Sequence, residues 1–174
     1  RQTEYFGDRH WHHESLETCV ERGMALAAEK GYPFSWLTCT NAGSAEVCRA
    51  ALSLLGIGDA DLQKGGYCDP TTKSDLRILA RPGIVIRLSR NFDKQRGFVN
   101  GALATVCDSL RGNSVFTARL VGTGNMVLVH PIEENGEVFL PCCYGYATTV
   151  RRAQGADLFH GCIYFEQKKR VATR

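Results

Sequence analysis

The chain has no run of eighteen consecutive apolar residues, so the sequence predicts no helix that spans a membrane. Its N-terminal stretch, RQTEYFGDRHWHH, is charged and rich in histidine, whereas a secretory signal peptide needs an apolar stretch there. We therefore expect neither membrane insertion nor secretion. The first residue is Arg1 rather than Met, from which we expect the chain to be part of a longer protein.

Several motifs of nucleotide-binding and catalytic sites are also absent. No G-x-x-x-x-G-K-[ST] phosphate loop occurs; the nearest stretch ends in Lys73 and Ser74 but has Tyr67 and Thr72 in place of both glycines. No acidic element of the kind that holds magnesium beside ATP is recognisable, and neither G-x-S-x-G nor H-E-x-x-H is present. The chain therefore cannot hold ATP phosphates unaided, and we assign no catalytic residue.

Cysteine is frequent, but its spacing matches neither a zinc site nor a disulfide framework. There is no C-x-x-C pair, and the thiols are scattered without a period: Cys19, Cys39, Cys48, Cys68, Cys107, Cys142, Cys143 and Cys162. We expect reduced, buried thiols and an intracellular, reducing compartment, which is the nucleus or the cytoplasm. The histidines at positions 10, 12 and 13 lack carboxylate or Cys partners, so we interpret them as a surface patch and assign no metal site.

The composition is that of a soluble globular protein, with 44% hydrophobic and 22% charged residues. A net charge of +3 is too small to indicate nucleic-acid binding by itself. The segment from Arg77 to Arg119 is locally basic, because eight Arg or Lys residues stand there against Asp93 and Asp108.

The first half of the chain has the pattern of an α/β unit. Apolar residues recur with helical spacing from Glu14 to Lys30, and Gly31 supplies a stop signal. A short apolar strand, Ser35 to Thr40, follows, and then a polar turn from Asn41 leads into a helix that ends near Leu55. Asn41 is open to two interpretations, as the cap of this helix or as a ligand-binding residue.

The middle of the chain has the pattern of a small all-β module. A loop rich in Gly, Asp and Pro, residues 56 to 72, precedes five β-like runs separated by turn residues. These runs are Gly83–Arg90, Gly101–Asp108, Ser114–Val121, Met126–Pro131 and Glu137–Cys142. Five short strands can close into an SH3-like barrel, which removes exposed edges, or they can extend an ordinary mixed sheet.

The segment YGYATTVRRAQGAD combines a strand, a hydroxyl-rich turn and a helix start. Thr148 and Thr149 form the turn, and Arg151 and Arg152 follow in the predicted helix. Hydroxyls, helix-start N–H groups and guanidinium groups together suit a phosphate, although such a turn also occurs as a plain solvated helix start. A last apolar strand, residues 160 to 165, returns the chain to the α/β layer.

Two motifs resemble those of the superfamily 1B DNA helicases of the Pif and RecD-like kind. The first has the pattern A-x-T-x-H-[KR]-x-Q-G, which here includes Ala147, Thr149, Arg151, Arg152, Gln154 and Gly155. Arg151 stands where the family has His, so its charge is permanent. The second has the pattern G-x-x-V-x-x-x-x-N…N-G-x-x-G-x-V, which here includes Gly83, Ile86, Asn91, Asn100, Gly101 and Val106, with Ala104 in place of the last Gly.

The resemblance covers about Leu37 to Glu166 and implies a domain organisation. It implies an α/β fold that is part of a RecA-like domain, without its phosphate loop, into which a small all-β SH3-like barrel is inserted. Residues 1–75 would begin the second RecA-like domain, residues 76–142 would form the barrel, and residues 143–174 would return to the RecA-like domain.

The resemblance also implies the site residues. Thr40, Asn41, Thr148, Thr149, Arg151 and Arg152 would contact DNA, and Gln154, Gly155 and Arg1 would lie near the nucleotide. It further implies ATP and Mg as cofactors, bound mainly by a facing N-terminal RecA-like domain.

The expected function is therefore the C-terminal portion of an ATP-dependent DNA helicase that moves 5′ to 3′ on single-stranded DNA and unwinds duplexes. Its partners would be single-stranded DNA and DNA junctions, with no membrane. The alternatives are a non-catalytic nucleic-acid-binding module, a degenerate helicase remnant, or the motor of a relaxase or exonuclease.

Overall fold

A computed structural model of the 174-residue chain describes residues 15–154, 158 and 160–165. The first helix, α1, is Leu16–Lys30. It begins where the Ser15 hydroxyl accepts a hydrogen bond from the Thr18 N–H (3.2 Å), and it ends at Gly31, whose φ is 74°. The predicted helix and its stop signal are confirmed. No helix among these residues is long and apolar enough to cross a membrane.

A parallel three-stranded sheet forms the α/β part of the molecule. Its strands are β1 (Ser35–Thr38), β9 (Ala147–Thr149) and β10 (Gly161–Tyr164), in the order β10-β1-β9. The second helix, α2 (Asn41–Leu54), packs on β1 and β9 and against α1. Its buried face includes Val47, Ala51 and Leu52, so the apolar spacing read from the sequence is the face that meets the sheet.

A second sheet, five-stranded and antiparallel, follows the predicted β-like runs. It contains β2 (Val85–Leu88), β3 (Leu103–Arg111), β4 (Val115–Leu120), β5 (Met126–Val129) and β8 (Cys142–Tyr144). The order is β5-β4-β3-β2-β8. Strands β2, β4 and β5 lie within their predicted runs, whereas β3 continues three residues beyond the predicted end at Asp108.

The fifth predicted run is two different strands. Glu137–Phe139 (β7) folds back on Ile132–Glu134 (β6) as a separate hairpin, whereas Cys142 begins β8, which pairs with β2. The hairpin is tight because Asn135 and Gly136 both have positive φ, 55° and 79°. Among the described residues β5 and β8 remain the two edges of an open sheet, so the expected closed barrel is not seen.

The predicted loop between residues 56 and 72 contains two short helices, α3 (Asp59–Leu62) and a 3₁₀ turn (Pro70–Thr72). Between these helices and β2, the segment folds back on itself, and Gly66 pairs with Ile78 in an isolated antiparallel bridge. Several of its apolar side chains are buried in the same core as both sheets, namely Leu62, Cys68, Leu76 and Ile78. The two sheets therefore share one hydrophobic core.

The chain passes from one sheet to the other at Gly145, between β8 and β9. A Cβ atom at this position would lie 2.9 Å from the backbone carbonyl of Ile86 and 2.8 Å from the Leu103 side chain. Two buried tyrosines fix this crossing: Tyr144 donates to the Arg77 carbonyl (2.9 Å), and the Tyr146 hydroxyl accepts from the Val85 N–H (3.2 Å). A residue with a side chain would therefore not fit at this crossing without a shift of its neighbours.

Candidate functional site

A cavity of about 240 Å³ lies where the two sheets meet. Parallel β1 and β9 end beside it; β1 leads into α2 through Cys39 and Thr40, and β9 continues directly into a short helix. Ligands of α/β sheets bind at this carboxyl edge of the strands. The lining includes polar and basic groups from four separate chain segments: Asn41, Ser44, Lys73, Arg87, Thr148 and Arg152.

The first turn of α2 contributes Asn41 and Ser44. The cap of this helix is Thr40, whose hydroxyl accepts a hydrogen bond from the Gly43 N–H (3.0 Å). The interpretation of Asn41 as the cap is therefore wrong. A β-region backbone at Thr40 starts the helix one residue earlier than the sequence suggests, and this leaves the Asn41 amide at the cavity. Thr40 is not among the lining residues.

The predicted turn after β9 divides its residues between two roles. Thr148 and Thr149 are both buried. Thr149 caps the four-residue helix α4 (Val150–Ala153) by accepting from the Arg152 N–H (3.4 Å), which confirms the predicted helix start. Thr148 instead lines the cavity.

The two arginines of this turn also differ. Arg152 lines the cavity, and its Nη2 donates to the Thr71 carbonyl (3.3 Å). Arg151 is exposed and is not a lining residue. Gln154 is exposed at the end of α4, away from the lining. The predicted nucleotide-side residues Gly155 and Arg1 lie outside the described residues.

Arg87, one of the basic residues of the segment from Arg77 to Arg119, is a second arginine of the cavity. Strand β2 alternates, so that Ile86 and Leu88 are buried in the core while Arg87 faces the cavity. Its Nη1 donates to the Gly101 carbonyl (3.0 Å). Its Nε and Nη2 are buried and have no hydrogen-bond partner among the described residues.

Burial lowers the pKa of Arg87, and the positive charge of Arg152 acts in the same direction. Both effects disfavour the charged form, although a guanidinium stays protonated at neutral pH. Within the part of the chain that the structure describes, this cation of the cavity has no counter-charge. The sequence signal for this residue is a charge inside an otherwise apolar run, GIVIRL, between Gly83 and Leu88.

Residues of the second resembled motif build the wall beside Arg87. The Asn91 side chain accepts a hydrogen bond from the Asn100 N–H (2.9 Å), which closes the loop between them. Gly101 follows with a φ of 91°, and its N–H donates to the Leu88 carbonyl (2.8 Å). This turn is what places the Gly101 carbonyl against Arg87.

Arg90, three residues after Arg87, is neutralised by acidic partners. It forms ion pairs with the fully buried Asp69 and with Glu134 (2.8 Å). Asp69 also accepts hydrogen bonds from the Ser89 hydroxyl (2.6 Å) and the Thr71 N–H (2.8 Å). This network fixes the turn that carries Lys73 to the cavity.

The thiols at the cavity do not supply negative charge. Cys48 and Cys143 both line it, and burial raises the pKa of both thiols, that of Cys48 to about 12. The residues described here contain no group of three or more His, Cys, Asp or Glu that could hold a metal ion. The histidine patch near the N-terminus lies outside them.

The architecture that holds this cavity is a parallel α/β layer joined to an antiparallel sheet, which is the fold of part of the Pif1 helicases. A crystal structure of Bacteroides Pif1 bound to ssDNA is similar with a TM-score of 0.50 and 18% identity, over 75% of this chain and 34% of that chain. A Bacteroides Pif1 double mutant is similar with a TM-score of 0.51 and 16% identity, over 85% and 38% of the two chains.

The Pif1 helicase from Candida albicans is similar with a TM-score of 0.50 and 14% identity, over 84% of this chain and 43% of that chain. The chain thus spans less than half the length of each of these structures. At these identities the likeness shows the fold, which supports the resemblance found in the motifs at that level. No protein-family model and no curated protein matches the chain.

Proposed function

We propose that the chain is the C-terminal portion of an ATP-dependent DNA helicase and forms one wall of its single-stranded DNA path. The observation that carries this proposal is that the first turn of α2 and the turn after β9, both predicted to contact DNA, converge on one basic cavity. It lies at the carboxyl edge of a parallel sheet, in a fold that Pif1 helicases share.

In this proposal the backbone phosphates of the strand run along the cavity. Arg152 contributes charge, and Asn41, Ser44 and Thr148 contribute hydrogen bonds from the lining. The exposed Arg151 adds a second contact outside the cavity, because guanidinium groups match phosphate oxygens. The antiparallel sheet, in the place where the family carries its inserted barrel, forms the opposite wall.

The nucleotide would bind on the other side of the same turn, near Gln154 and Gly155, with a facing RecA-like domain that carries the phosphate loop. Hydrolysis of ATP with Mg supplies the free energy for movement. Because α4 joins the two sides, a shift of this short helix would change the position of Arg152 at the DNA. The division into residues 1–75, 76–142 and 143–174 is part of this proposal.

Two measurements test the proposal. The chain should bind a fluorescent oligothymidylate, and its affinity should fall with salt concentration, since phosphate contacts release counterions. If the chain does not bind the oligothymidylate even at low salt, the DNA assignment is contradicted. The product of the complete reading frame should hydrolyse ATP in a DNA-dependent way; binding without ATPase activity would favour the non-catalytic module or a helicase remnant.

A further inference from the structure

The unpartnered edge of Arg87 has a specific shape. Nε and Nη2 present their N–H groups along the same side of the planar guanidinium, whereas Nη1 is used by the Gly101 carbonyl. Two parallel donors on one edge match two oxygens of a phosphate or carboxylate in a bidentate pair. The free edge of Arg87 is therefore suited to an oxyanion rather than to a single carbonyl.

The charge of the cavity points the same way. Among the described residues that line it, Lys73, Arg87 and Arg152 carry positive charge, and none is Asp or Glu. Asp69, a buried carboxylate two residues before the lining residue Thr71, is occupied by Arg90, Ser89 and Thr71. Three cations without an acid favour a ligand that brings negative charge.

The space and access suit a phosphate on a polymer. A water occupies about 30 Å³ of liquid volume, so a cavity of about 240 Å³ has room for a phosphate and the atoms attached to it. Lys73, Asn100 and Arg152 are exposed at its edge, so that the cavity is open to solvent on that side. A DNA strand that passes this opening can place one phosphate inside the cavity while the adjacent nucleotides stay in solvent.

We propose that Arg87 and Arg152 together bind one backbone phosphate of single-stranded DNA inside the cavity between the two sheets. This inference rests on the proposed function and adds to it a specific residue of the antiparallel sheet. Arg87 belongs to β2 and Arg152 to α4, so the bound phosphate connects the two halves of the molecule. Ser44 and Thr148 line the same space and supply hydroxyls for the remaining oxygens.

The test compares Arg87→Met, Arg87→Lys and a control of equal charge change, Arg111→Met. Arg111 is exposed. It lies eight residues along β3 from Leu103, which is the register partner of Arg87. At about 3.3 Å per residue, this places Arg111 about 26 Å along the strand from Leu103. Binding of each chain to fluorescent oligothymidylate is measured by anisotropy over a range of KCl concentrations. Thermal unfolding of each variant confirms that it is folded.

We expect Arg87→Met to bind about tenfold more weakly, the loss of a charge-assisted contact, with a salt slope smaller by about 0.7. Arg87→Lys should lie between this variant and the parent, because it keeps the charge but loses the fork. Arg111→Met should bind like the parent. Equal affinities for the parent, Arg87→Met and Arg87→Lys would overturn the inference while the proposed function stands.

Inorganic phosphate and pyrophosphate identify the source of the phosphate. One outcome is that the parent chain does not bind the oligonucleotide, pyrophosphate raises the Tm of the parent, and pyrophosphate does not raise the Tm of Arg87→Met. The cavity is then a site for a free anion. That outcome would overturn both the DNA assignment and the proposed function. Competition of pyrophosphate with bound oligonucleotide, lost in Arg87→Met, supports one shared phosphate site.

Discussion

Replacing Arg87 by Met should stabilise the chain in the absence of DNA. The substitution removes a buried cation with two unsatisfied nitrogens, each of which costs about 1–3 kcal/mol when left unpaired. It also removes the bond from Nη1 to the Gly101 carbonyl, worth about 1.5–3 kcal/mol, but Gly101 is exposed and its carbonyl can be hydrated. Met keeps most of the apolar stem.

The net expectation is a gain of about 1–3 kcal/mol in the free energy of unfolding, similar to the effect of replacing buried ion pairs by apolar residues. For a chain of this size that is roughly 3–9 °C in Tm. With DNA at about 100 times the parent Kd, binding adds ~2.7 kcal/mol to the free energy of unfolding of the parent and about 1.4 kcal/mol to that of a variant that binds tenfold more weakly. DNA should therefore reduce the stability difference between Arg87→Met and the parent.

Differential scanning fluorimetry and urea unfolding of the parent, Arg87→Met and Arg111→Met measure this directly. The exposed Arg111→Met control should remain within about 0.5 kcal/mol of the parent. A Tm of Arg87→Met several degrees below that of the parent would refute the reasoning. It would mean that the Arg87 guanidinium is a structural group whose donors are already satisfied.

Three further predictions concern the surroundings of the cavity. Asp69→Asn should lower the free energy of unfolding by roughly 3 kcal/mol in urea titrations, because the buried network loses its charge. Gly145→Ala should cost about 1–3 kcal/mol through the clash with the β2 backbone, while Gly58→Ala, which meets no atom, should cost only about 0.5 kcal/mol as a weaker cap of α3. The chain should lose stability between about pH 9 and pH 12. Burial in the folded state raises the Cys48 pKa to about 12, so the folded chain binds this proton more tightly than the unfolded chain does. The stability is therefore full below about pH 9, and in thermal melts Cys48→Ala should reduce the loss at higher pH.

The sequence predicted the fold best where local patterns decide the structure. The helix before Gly31 and the strand of SWLTCT depend on apolar spacing and on a stop residue, both of which are visible in the printed chain. The fifth β run was misread because the strand is interrupted at Leu140 and Pro141: the part up to Phe139 pairs with β6, whereas Cys142 starts a new pairing with β2. Strand partners are a tertiary property that spacing alone does not contain.

The site was predicted in part for the same reason. The turn at Thr149 and Arg152 was visible as a local motif, and the structure brings part of it to the cavity. Lys73 and Ser44 reach the cavity from segments far apart in the chain. The turn held by Asp69 positions Lys73, and the first turn of α2 positions Ser44. Local patterns do not show which of these segments meet.

Arg87 and Arg90 illustrate how two similar side chains, three residues apart, take opposite roles. Arg90 meets Asp69 and Glu134, so its charge is compensated and contributes to the stability of the turn. Among the residues that the structure describes, Arg87 meets one carbonyl and no acid, so we expect its charge to cost stability in the unbound chain. A residue that opposes folding and faces a basic cavity is best explained by a ligand, because binding an oxyanion is what would recover the free energy that its burial costs.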